Sequence, residues 1–128
     1  MLRRKRTLFC AVFAVCLAVL TYVPFRLQAR RSAHRDIVAF FQNYQQGEDN
    51  LVAKELKNLA QPHDVADRIM SRHRNALMNF NYSTLRPSLN LMLNRTVVGV
   101  SWDLSIVFYR QADGWRVLSF DEFVHNKA

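Results

Sequence analysis

The apolar positions fall into three regimes along the chain: one unbroken run, then a spacing of three and four, then strict alternation. The run is Thr7 to Phe25, nineteen residues without a charge. As a helix it would reach ~28 Å, close to the ~30 Å hydrocarbon layer of a bilayer. It predicts one membrane-spanning helix, with Tyr22 and Phe25 at the interface and Pro24 late enough to end the helix. The helical spacing follows in three segments. Ile37, Val38, Phe40, Phe41 and Tyr44 share one face, and Gly47 stands where a carboxy-terminal cap needs a left-handed residue. Asp49 or Asn50 then caps a stripe of Leu51, Val52, Leu56, Leu59 and Ala60, ended by Pro62. Asp64 caps a third helix with Val65, Ile69 and Met70 inward and Arg68, Arg72 and Arg74 outward.

After about Asn75 the period changes to two. Met78, Phe80 and Tyr82 predict one strand, and Leu89, Leu91 and Leu93 a second. From Val98 to Arg110 the alternation is strongest, and it predicts a single long strand bent at Gly99, with Val98, Val100, Trp102, Leu104, Ile106 and Phe108 on the core face. A three-residue loop, Ala112-Asp113-Gly114, would lead into the last strand, opposing Phe108 to Leu118 and Ile106 to Phe120. That register leaves Val107, Tyr109, Trp115 and Val117 together on the outer face. The expected architecture is α+β: an amino-terminal transmembrane helix, then about three helices on a curved four-stranded antiparallel sheet.

Charge sharpens the membrane reading. The net +8 lies entirely in the first 35 residues, four bases before the apolar run and four after it; Asp36 to Ala128 has ten Lys and Arg against ten Asp and Glu. Nucleic-acid binding needs bases clustered on a folded surface, so that class is excluded and the bilayer becomes the first partner. The chain divides into a basic tail (1–6), an anchor (7–25), a basic juxtamembrane segment (26–35) and one domain (36–128). A cleavable signal peptide is disfavoured because Leu27-Gln28-Ala29 puts a bulky leucine where a small side chain is needed. The positive-inside rule narrowly favours a cytoplasmic amino terminus, placing the domain on the outer side of a cell's inner membrane.

The stretches DIVAFFQNYQQGEDNLVAKEL and SWDLSIVFYRQADGWRVLSFDEF follow each other as helix, turn, helix and then paired strands. In this order the chain resembles the nuclear transport factor 2-like superfamily, the cystatin-like cone, over roughly Asp36 to Phe123. The resemblance implies a cone-shaped domain. The superfamily includes pocket enzymes and also non-enzymatic domains on a single membrane span, such as periplasmic subunits of type IV secretion machines, which are longer than this chain.

Reaction chemistry is sparse. Gly47, Gly99 and Gly114 are too far apart for a dinucleotide fingerprint, a phosphate loop or a nucleophile elbow. The four histidines lack paired ligand spacing, so neither a metal nor another cofactor is expected. Cys10 and Cys16 lie on different faces of the anchor and read as packing residues. Tyr44, His73 and Tyr82 are the residues that could line a pocket, and a small-ligand or acid/base enzyme site there is the alternative function. The favoured expectation is a binding or assembly subunit of a membrane protein complex or homo-oligomer. Its partner surface would be the apolar outer group Val107, Tyr109, Trp115 and Val117.

Overall fold

The computed structural model describes residues 2–123. Its first element, α1 (Leu2–Gln45), runs 44 residues without interruption, ~66 Å at ~1.5 Å per residue. The amino-terminal part is long and apolar enough to cross a membrane, and none of its most apolar window is buried in the protein. Pro24 lies inside this helix, not at its end. One backbone bond is lost there, but the helix beyond it is held by packing: Ala29, Ala33, Ile37, Phe40 and Phe41 recur on one face and are buried. The basic segment 26–35 is therefore rigid helix whose small residues already touch the domain. Gly47, at φ +75°, ends α1 as its spacing predicts. Glu48 N–H donates to Asn43 C=O and Gly47 N–H to Tyr44 C=O, the paired bonds of a Schellman cap.

Three short helices follow: α2 (Asp49–Glu55), α3 (His63–Arg72) and α4 (Arg74–Met78). α2 begins where expected but stops seven residues before Pro62, because the chain beyond it has another task. Ala60 N–H donates to Leu118 C=O at 2.8 Å, and the Gln61 side chain accepts from Phe120 N–H at 2.6 Å. These contacts satisfy the free edge of the last strand, which would otherwise present unpaired backbone groups. Leu51, placed in the stripe by its spacing, is exposed.

The sheet has three antiparallel strands among the described residues, in the order β1 (Arg95–Ser101), β2 (Leu104–Gln111), β3 (Gly114–Glu122). Neither leading strand forms as the alternation predicts. Met78 ends α4 and Tyr82 begins a 3-10 turn, since the Gln45 amide donates to the Leu77 and Phe80 carbonyls and fixes that segment against α1. Around Leu91, Asn90 Oδ1 accepts from Asn94 N–H and Arg95 N–H, closing a tight loop; only Leu89 makes a bridge, to Thr96.

The predicted long strand is a hairpin, reversed at Trp102-Asp103 with Ser101 opposite Leu104. Such a turn would oppose Val98 to Val107. A bulge between Gly99 and Ser101 shifts the pairing by one, so that Val98 opposes Ile106 and both face inward. Trp102 thereby leaves the core and is 75 % exposed.

The second hairpin also turns on two residues, with Gln111 opposite Gly114, not on the three expected. Ile106 opposes Phe120 as predicted, but Phe108 opposes Val117, because Leu118 is the extra residue of a second bulge. Beyond that bulge the inward parity of β3 changes from even to odd. Trp115 and Val117, expected outside, are fully buried beside Phe108.

Helices and sheet enclose one core. Phe40 meets Phe41 and Phe108 edge-on at 5.4 and 5.8 Å between ring centres, and Phe80 packs on Phe41. Val52, Leu56, Ala66, Ile69 and Leu77 complete it.

Candidate functional site

The sheet face turned away from the core is the first candidate surface. Cross-strand pairing puts Val97 beside Val107 and Arg95 beside Tyr109. The Arg95 guanidinium lies 5.9 Å from the Tyr109 ring centre, a cation–π contact that leaves the ring partly open to solvent. Val97 is 58 % exposed, unusual for a valine at the middle of a strand. Of the four residues expected to form an outer group, Val107 and Tyr109 are on this face; Trp115 and Val117 are inside, for the parity reason given above. Alternation counted back from Tyr109 through Val107 into β1 puts Val97 on the same face, and the reversal at Trp102 sets it beside Val107.

The predicted pocket residues are not brought into one site. Tyr44 stacks on Phe40 and borders a surface cleft shared with Asp67, Ser71 and Arg74; burial raises its hydroxyl pKa, opposed by the charge of Arg74. Tyr82 packs against the core from its 3-10 turn. His73, at the junction of α3 and α4, faces the end of β3: its Nε2 is 2.8 Å from Glu122 Oε2, while Arg72 reaches the other carboxylate oxygen at 3.1 Å. Asp103 Oδ1 stands 3.8 Å from His73 Nδ1 and accepts the Ser101 hydroxyl at 2.6 Å. This polar group ties the third helix to the β1–β2 turn and to β3. The serine hydroxyl is directed to Asp103 and not to the histidine, so the set is not arranged as a nucleophile and base. Among the described residues no group of three His, Cys, Asp or Glu could hold a metal ion. The space between helices and sheet, where a cone-shaped enzyme would need its pocket, is filled by Phe40, Phe41, Phe108, Trp115 and Phe120.

A second polar set lies at the opposite end of β3. Asp36 on α1 accepts Trp115 N–H at 2.9 Å, and its carboxylate sits 2.9 Å from where a Cβ on Gly114 would lie. Glu55, at the end of α2, is buried; Oε1 is 3.9 Å from Arg116 Nη1 and Oε2 has no hydrogen-bond partner. Burial pushes its carboxyl up to about 7, with Arg116 pulling it down and Asp36 adding to the rise. Sequence spacing carried no sign of this group, since its members come from three elements. An open groove of about 1010 Å³ adjoins it, between α1 and the end of the β2–β3 hairpin, bordered by Gln28, Asp36, Met92, Tyr109, Asp113 and Trp115.

No protein-family model matches the chain, no curated protein matches its sequence, and no solved structure matches it.

Proposed function

We propose that this is a single-pass membrane protein whose α+β domain serves as a binding or assembly subunit of an envelope complex, through the outer face of its sheet. The observation that carries this reading is the apolar pair on that face, exposed Val97 beside half-buried Val107, together with Trp102, 75 % exposed, at the turn that joins their strands. Tryptophan and tyrosine are among the residue types most enriched at interface hot spots. The domain's attachment supports the same reading. α1 passes from its apolar run into the core without a flexible linker, so the sheet is held at a set orientation to the anchor. The charge distribution about the run favours an amino terminus in the cytoplasm and a domain on the outer side of the inner membrane. A cone of the nuclear transport factor 2-like kind, with a second copy or another membrane subunit on its sheet, remains the architecture we propose for the assembled state.

Crosslinking of the full chain in its native membrane tests this. Val97→Asp and Trp102→Ala should each abolish the crosslinked species while leaving the thermal unfolding of the purified chain unchanged. Retention of the crosslinked species by both variants refutes the outer-face reading.

A further inference from the structure

The loop between the 3-10 turn and β1 reaches the depth of the anchor itself. Tyr22, inside the apolar run, donates its hydroxyl to the Leu91 carbonyl at 2.9 Å. The loop is held rigidly in that position. Asn90 N–H donates to Arg95 C=O, the Asn90 side chain binds the Asn94 and Arg95 backbone and the Asn94 side chain, and Leu93 turns inward in a left-handed conformation at φ 58°. Such a clamp fixes which side chains point away. Those are Leu91 and Met92, 81 % and 76 % exposed. Two large apolar side chains at a constrained loop tip, level with a residue of the membrane-crossing run, would meet lipid and not water.

Basic side chains lie at headgroup height on another face of α1. Arg30, Arg31 and His34 on α1 share a cleft with Arg86, Leu85 and Pro87, and no acidic residue borders it. Arg30 and Arg31 stand five and six residues past Phe25, ~8–9 Å along the helix, against a headgroup layer of ~5–8 Å on each side of the hydrocarbon. An arginine side chain spans the difference. Leu85 and Pro87 give the same cleft an apolar floor.

We propose that the Asn90–Asn94 loop is a second membrane contact: Leu91 and Met92 insert into the interfacial layer, and Arg30, Arg31 and Arg86 bind the phosphates of anionic lipid headgroups. The domain then rests on the bilayer at two points, which prevents its swinging about the anchor and sets which way the sheet face points. This inference rests on α1 crossing the membrane, and the test separates the two.

The full chain, with Cys10→Ser and Cys16→Ser, is reconstituted into phosphatidylcholine vesicles with or without phosphatidylglycerol. An environment-sensitive fluorophore is attached at Met92→Cys, at Val15→Cys as the bilayer control, or at Asp121→Cys as the control for water. Lipid-borne quenchers should quench the probes at positions 15 and 92 and spare the one at 121. Quenching at 92 should rise at least twofold with phosphatidylglycerol and lose that increment in an Arg30→Gln, Arg31→Gln, Arg86→Gln variant. A quenched probe at 15 with an unquenched probe at 92 overturns the second contact and leaves the span standing. Unquenched probes at both positions overturn the span and this inference with it. Quenching at 92 that ignores anionic lipid overturns the role of the arginines.

Discussion

Replacing Glu55 with Gln should stabilise the protein above neutral pH and do little in mild acid. The side chain is buried, Oε2 lacks a hydrogen-bond partner, and the nearest cation, Arg116 Nη1, is 3.9 Å away, beyond hydrogen-bond range. Its carboxyl pKa rises from 4.5 to about 7, through burial first, with Arg116 opposing and Asp36 reinforcing. The folded state therefore holds a proton that the unfolded chain has released between those two values. Glu55's contribution to stability is fully present below pH ~4.5 and is lost as pH rises to ~7. At ~1.4 kcal/mol per unit the net shift, in which the attraction of Arg116 is already included, bounds the gain at ~3 kcal/mol, and solvent screening at a site that is not fully enclosed brings the expected gain to ~1–2 kcal/mol. Thermal unfolding of the full chain in detergent, followed from pH 4.5 to 8, measures it. The difference between Glu55→Gln and the parent should be near zero at pH 4.5, open through pH 5–7 and level off above. A variant that is most destabilised at pH 8 would mean that the ionised carboxylate is held by Arg116, and the reasoning would fail.

Two further outcomes follow from the sheet. Ile106→Asp buries an unpaired carboxylate opposite Phe120 and should unfold the domain, costing several kcal/mol, whereas Ser105→Asp, one residue earlier and facing outward, should shift the melting temperature by no more than a few degrees; circular dichroism melts distinguish them, and equal damage would contradict the assigned faces. Gly114→Ala should destabilise by more than ~1 kcal/mol in chemical denaturation, since φ is +125° and the new methyl would lie 2.9 Å from Asp36 Oδ2; an unchanged midpoint would contradict both the left-handed backbone at Gly114 and the close approach of Asp36.

Much of the plan was legible locally. The uncharged run with its flanking arginines, the inward stripe from Ile37 to Phe41, the cap at Gly47 and the inward set Leu104, Ile106 and Phe108 all rest on spacing along one element, and the structure contains each of them. On the candidate surface, Val107 and Tyr109 were legible for the same reason.

What spacing could not carry is where the chain reverses and how strands are paired. A period of two reports that every other residue is buried; it is silent about a turn whose flanking bulge restores the same parity, as at Gly99–Trp102. The opposite happens at Leu118, where one extra residue changes the parity and moves Trp115 and Val117 from the expected outer face into the core. The bulge at Leu118 lies between contacts remote in sequence: Asp36 takes the Trp115 N–H, and Ala60 and Gln61, beyond the end of α2, take the edge of β3 in place of the predicted helix. The exposure of Trp102, the isolation of Glu55 and the placing of Leu91 beside Tyr22 belong to the same class. Each is a meeting of residues from separate elements, which only the packing of the whole chain decides.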